Sequence, residues 1–156
     1  MTTPTPTLLD WAGGAQAIDG LMTAFYAKVH KHQELGPIFQ HAPTDHPGQV
    51  SRFITEVFGG SAQYTSSGGS HAGMINHHMG RHLNETLRQC WMKLLLETAD
   101  EVGLPTDPEF RSAFVAYLEW GTRLAVINSQ PDTSEPDPKL PMPSWGWGVP
   151  GGPYRG

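Results

Sequence analysis

Four histidines stand within twelve positions of this chain: His71, His77, His78 and His82, in the run Ser70-His71-Ala72-Gly73-Met74-Ile75-Asn76-His77-His78-Met79-Gly80-Arg81-His82. A neutral imidazole nitrogen is the commonest protein donor to transition metals near neutral pH. Two chemistries suit such a run: a haem iron held by one histidine, or a bare metal held by several. Zinc sites usually add cysteine or carboxylate ligands at tight spacing. Here Glu85 is the one nearby acid and Cys90 the single cysteine. A zinc reading therefore accounts for His71, His77, His78 and His82 but leaves the aromatic residues elsewhere unexplained.

The elements that must position these histidines are helical. From Ala15 to His30 the residues Ile18, Leu21, Met22, Phe25, Tyr26 and Val29 recur at three- and four-residue steps, one apolar stripe of a helix. Tyr26 on that stripe carries a hydroxyl that needs a partner once buried. Asp45 and Pro47 mark a second helix start, with Val50, Phe53, Ile54 and Val57 facing inward and Gly59-Gly60 at its end. His46 shares that face if the helix reaches back to it. The stretch from Gly59 to Gly73 holds five glycines and four serines and reads as a loop. Asn84 caps a third helix running to Val102, with Leu87, Trp91, Leu94, Leu95 and Thr98 on its buried side. Asp107-Pro108 opens a fourth, which continues to Asn128 and buries Phe110, Phe114, Tyr117, Gly121, Leu124 and Ala125. No run alternates with period two, so the expected class is all-α.

Composition narrows the functions further. The 156 residues suit one domain. The formal net charge of −5 and ten scattered basic residues argue against nucleic acid, whose binders cluster lysine and arginine. Apolar runs are too short to span a bilayer, and no secretory signal is visible at the start, so a cytoplasmic protein without a membrane partner is expected. One cysteine excludes an internal disulfide, an iron–sulfur cluster and a Cys-x-x-Cys-His haem attachment. Cys90 has no neighbour that would activate its thiol, and His30, His32 and His41 read as solvated. After Gln130 the composition changes: seven of the fourteen prolines and the pair Trp145 and Trp147 lie there. Proline forbids regular helix, yet two tryptophans rarely stay in water. An extended strap packed on the helical body is expected from Pro141 to Tyr154.

Taken in order, Trp11-Ala12-Gly13-Gly14, Phe25-Tyr26, Phe39, Phe53, Phe58-Gly59-Gly60, Tyr64, His71, His78 and Trp91 form a pattern that resembles the truncated haemoglobins, most closely their second group. The specific signal is spacing: thirteen positions from Tyr26 to Phe39, fourteen from Phe39 to Phe53, and thirteen from His78 to Trp91. The resemblance implies a globin-like two-over-two helical sandwich over residues 9–128, followed by a Pro/Gly/Trp-rich extension over 129–156. It implies a non-covalent haem b with His78 as the proximal iron ligand and His77 one position off the spacing. It further implies haem contacts from Phe39, Val50, Phe53, Tyr26 and Trp91, and a distal ligand-binding group of Tyr26, Trp91 and His46. A histidine at position 46 departs from the small apolar residue the group often carries there.

The activity so implied is binding of O2, NO, CO or peroxide. If Tyr26, Trp91 and His46 all donate to a ligand, the site holds oxygen too firmly for a carrier. Redox chemistry on the ligand, such as nitric oxide oxidation or peroxide turnover, is then expected, with a separate reductase supplying electrons. The alternative is a non-haem zinc protein built on the histidine run.

Overall fold

The apolar stripe of the second helix forms the centre of the molecule. In the computed structural model, which describes residues 3–156, Ile18, Leu21, Met22, Phe25 and Val29 have no exposed surface. They lie on α2 (Ala15–Lys31), preceded by α1 (Leu8–Ala12) and followed by a 3-10 turn (Gly36–Phe39), α3 (His46–Val57), α4 (Gln63–Ser66), α5 (His71–His78), α6 (Glu85–Glu101) and α7 (Pro108–Asn128). No strand occurs among the described residues. Helix α2 packs on α3, α6 packs on α7, and α2 also meets α6, so one helical pair lies on another. Helix α5 leans on α7.

Local chemistry sets the ends. The Asn84 side chain accepts from the Leu87 N–H at 2.9 Å, and that of Asp107 accepts from the Phe110 N–H at 3.1 Å. Each satisfies a donor that a helix start leaves orphaned. Helix α1 was not anticipated. Thr7 and Asp10 cap it reciprocally, Asp10 N–H to Thr7 Oγ1 at 3.0 Å and Thr7 N–H to Asp10 Oδ2 at 3.3 Å. Five residues are too few to show a period.

The end of α3 is pinned to α1. Leu9 N–H donates to the Phe58 carbonyl at 3.1 Å. A Cβ on Gly60 would fall 2.5 Å from Leu9 and 2.7 Å from the Thr55 carbonyl, so only glycine permits this approach.

The stretch expected to be a loop contains α4 and the start of α5. Tyr64 anchors it, with its ring edge-on to Phe53 at 5.2 Å and its hydroxyl donating to the Ser70 carbonyl at 3.2 Å. Glu56 of α3 also accepts from the Thr65 N–H at 3.0 Å. Tertiary contacts of one aromatic and one acid thus order a segment whose composition alone reads as irregular.

The chain after α7 lies on the helical body. Trp145 N–H donates to the Val57 carbonyl at 2.9 Å, and its indole N–H to the Ala113 carbonyl at 3.1 Å. Trp147 is buried and donates from its indole to the Pro6 carbonyl at 2.7 Å. Each aromatic body therefore covers apolar surface while its one donor is satisfied.

Candidate functional site

Helices α2, α3, α5, α6 and α7 and the 3-10 turn enclose a cavity of about 540 Å³. This lies within the range, roughly 300–1,000 Å³, of sites that bury a small molecule or cofactor. Its walls include the apolar side chains of Phe39, Val50, Phe53, Met74, Leu87 and Leu118, and polar ones such as Gln49, Arg52, His71, Arg81 and Thr122. Gly121, Leu124 and Ala125 of α7, expected on a buried face, line the cavity instead.

One polar group belongs to α5. His78 is the last residue of that helix and lines the cavity. Burial chiefly pushes its imidazole down to about 4, opposed by a hydrogen bond to the Met74 carbonyl one turn earlier. Neighbouring Arg81, His77 and His46 lower it further. The ring is therefore neutral at physiological pH. One nitrogen is held as a donor to Met74, which leaves the other with a free lone pair. Met74 is the orienting acceptor that a metal-bound histidine requires, and sequence reasoning did not identify it.

A second cluster belongs to α2, the 3-10 turn and α3. Tyr26 is 4% exposed, and its ring lies 4.9 Å from His46 and 5.5 Å from Phe39. Burial raises the tyrosine pKa strongly, and the Trp91 indole N–H at the phenol oxygen offsets only part of this. The Tyr26 hydroxyl accordingly stays protonated, accepts from Trp91 and keeps its own proton to donate. Trp91 is itself fixed edge-on against Phe25 at 5.1 Å.

Helix α3 does reach back to His46, which is its first residue with Pro47 directly after it. The ring turns inward, and its buried Nε2 finds no hydrogen-bond partner among the described residues. Burial first, then the charges of His77, Arg81 and His30, hold its pKa below the ordinary histidine value. An orphaned polar atom of this kind points to a partner from outside the chain.

The four-histidine run does not assemble as a metal site. Helix α5 ends at His78 because Met79 is extended, so His82, at a positive φ of 52°, is not one helical turn from His78 as a continuous helix would place it. His77 and His82 are exposed. His71, His77 and His78 line the cavity, while His82 does not. Among the described residues no group of three His, Cys, Asp or Glu side chains could hold a metal ion. The zinc alternative is therefore not supported. Cys90 is also unremarkable as a nucleophile, since burial and Glu34 push its thiol up.

Sequence reasoning also missed Arg88. It is 7% exposed on α6, lines the cavity, and pairs with Glu85 and with Glu119 of α7 at 3.3 Å. Its hydrogen bonds hold the Glu85 carboxyl down at about 2. The i,i+3 spacing of Glu85 and Arg88 was the available signal.

A largely apolar cavity lined by the neutral imidazole of His78 from α5, and by Tyr26, Trp91 and His46 from other elements, could hold a metal macrocycle through His78. Residues 7–120 match the family model described as bacterial-like globin. The chain is 26% identical over 117 residues to the group 2 truncated haemoglobin YjbI of Bacillus subtilis (strain 168), covering 75% of this chain and 86% of that protein. It is also similar to the crystal structure of the group II truncated haemoglobin from Bacillus anthracis, with a TM-score of 0.71 and 26% identity, covering 80% of this chain and 93% of the other. The X-ray structure of the truncated oxygen-avid haemoglobin from Bacillus subtilis gives a TM-score of 0.68 at 26% identity, covering 78% and 99%.

Proposed function

This chain belongs to the bacterial-like globin family, and we propose that its cavity binds haem b through His78 and performs redox chemistry on a small ligand held beside Tyr26, Trp91 and His46. The family carries a haem and the binding of small diatomic ligands such as O2, and the all-α fold is that of the truncated haemoglobins. Among the described residues no helix is long and apolar enough to cross a membrane.

When bound, the haem supplies an iron that takes a diatomic ligand or peroxide and exchanges electrons with it. The protein's part follows from its residues. Burial keeps His78 neutral, and the Met74 carbonyl fixes its ring, so the free lone pair is available in one orientation. Phe39, Val50 and Phe53 exclude water from the apolar faces. The Trp91 indole N–H stands at the Tyr26 oxygen and would leave the Tyr26 proton free for a ligand and make that hydroxyl a stronger donor. His46 adds a second ring nitrogen to the same cluster. Together these groups favour negative charge on whatever the pocket holds, through dipoles fixed before the ligand arrives.

The observation that carries the proposal is the convergence of Tyr26, Trp91 and His46 in one apolar cavity. A site that favours developing negative charge holds O2 tightly and suits its reduction better than its release. Two reactions fit. Nitric oxide and O2 combine with one electron to give nitrate, and peroxide takes two electrons and two protons to give two waters. NO, peroxide and CO are thus the proposed further ligands, and a separate reductase the proposed electron source.

The test is to load the purified chain with haem, record ferric, ferrous and carbonyl spectra, and mix the oxygenated protein with nitric oxide and the ferric protein with peroxide. Nitrate formation or peroxide consumption well above that of free haem supports the proposal. A haem-loaded protein that binds O2 but promotes neither reaction refutes the redox role.

A further inference from the structure

A row of aromatic rings runs from the cavity wall to the C-terminal extension. Trp120 of α7 lines the cavity. Its ring lies 6.1 Å from that of His71 and 5.5 Å from that of Trp145, the latter pair tilted by 34°. Trp145 is not part of the matched family region, which ends at residue 120. It is supplied by the C-terminal extension and held by its backbone bond to Val57, its indole bond to Ala113 and an edge-on contact with Tyr117 at 5.7 Å. Trp145 is half-buried, so part of it meets solvent.

We propose that Trp120 and Trp145 form a two-step relay that carries oxidising equivalents from the cavity to the protein surface, where a phenolic reductant is oxidised at Trp145. The relay rests on the peroxide reading given above. Tryptophan can lose an electron while keeping its N–H proton, and the Ala113 carbonyl at 3.1 Å stabilises the positive charge that results on Trp145. Tyr117 also lines the cavity but is a poor carrier. A phenol must shed its proton to be oxidised readily, and the buried Tyr117 hydroxyl has no acceptor among the described residues.

The balance closes with one named co-reactant. Two phenols each give one electron through Trp145 and Trp120 and release one proton to solvent. Hydrogen peroxide in the cavity takes up two electrons and two protons and leaves as two waters, with two phenoxyl radicals as the other product. An uncharged phenol is favoured over an anionic reductant because the protein has a net charge of −5. The reductant need not enter the cavity, so bulky phenols remain competent.

The experiment uses the haem-loaded full chain in its ferric form, with Trp120→Phe, Trp145→Phe and, as control, Trp147→Phe. Each protein is treated with peroxide without a reductant, freeze-quenched for electron paramagnetic resonance, and digested for mass spectrometry. Turnover of guaiacol is followed separately. The relay predicts a tryptophanyl radical and oxygen adducts on Trp145 in the wild type and in Trp147→Phe. Trp120→Phe leaves Trp145 in place yet loses its adducts, and both relay variants lose guaiacol turnover while the Soret band bleaches faster. Unchanged melting temperatures in these variants exclude a merely structural effect.

Equal adducts on Trp145 in the wild type and Trp120→Phe would mean direct oxidation from solvent and would overturn the relay. So would peroxide consumption that leaves Trp145 unmarked, and in that case the peroxide reading survives. No peroxide consumption at all defeats both.

Discussion

Removing the Tyr26 hydroxyl tests the distal arrangement most directly. In Tyr26→Phe the ring still packs 5.5 Å from Phe39 and 4.9 Å from His46, so the change isolates one oxygen and its proton. A hydrogen bond of this kind contributes ~0.5–1.5 kcal/mol, and more when its acceptor is charged. Two donors acting together would hold the ligand by ~1–3 kcal/mol, or roughly 5- to 150-fold in rate. Stopped-flow measurement of oxygen dissociation should therefore show Tyr26→Phe releasing faster by a factor in the lower part of that range. Trp91→Phe should also accelerate release, although its indole bond is to Tyr26. Because Trp91 acts through Tyr26, the double variant should release oxygen little faster than Tyr26→Phe alone. The cycle's interaction energy should then be about 0.5 kcal/mol or more, as for residues in one network. His46→Leu should add to either, since its Nε2 shares no bond with them. Equal off-rates in all variants would refute the reasoning, because donors that do not reach the ligand cannot retain it.

His78→Ala should lose haem on gel filtration or retain it only with added imidazole, whereas His77→Ala should leave the Soret band nearly unchanged, because His77 is exposed. Trp147→Ala removes a side chain only 9% exposed and should cost about 3 kcal/mol, seen as a melting temperature lower by roughly 6–12 °C. Haem affinity in that variant should persist, since Trp147 does not line the cavity. The haem-free protein should lose stability as pH falls from 6.5 to about 4, because the unfolded chain takes a proton on His78 before the folded chain does. The loss from His78 is at most about 3 kcal/mol, it levels off below pH 4, and urea titrations of wild type and His78→Leu across that window measure it.

The long helices were legible from an apolar stripe, Ile18 through Val29 in α2, or from a side-chain cap at a readable position, Asn84 for α6 and Asp107 for α7. The short ones were not. Helices α1 and α4 have five and four residues, too few for periodicity, and each is held by contacts distant in sequence, Leu9 with Phe58 and Thr65 with Glu56. The spacing of Tyr26, Phe39, Phe53, His78 and Trp91 was legible, and all five line one cavity. What lay beyond a spacing argument was the orientation of each polar group. Met74 becomes the partner of His78 only once α5 exists as a helix, which brings residues four apart within reach. Trp145 reaches Trp120 only because the extension folds back over Val57.

The same distinction explains why four histidines close in sequence do not make a bare-metal site. A multidentate site needs several lone pairs aimed at one point, whereas α5 stops at His78 and sends His77 and His82 to solvent. The two imidazoles that remain functional in our reading, His78 and His46, come from different helices. Both are held neutral by burial and by the like charges of His77 and Arg81. Protonating either would work against those charges, and the buried Arg88 is already paired with Glu85 and Glu119, so in our reading the pocket favours a negative ligand chiefly through oriented dipoles. That choice suits chemistry in which charge builds up on the ligand and is then discharged. An unpaired cation would go on holding the anionic product, whereas a neutral donor such as the Tyr26 hydroxyl holds it less firmly and lets it leave.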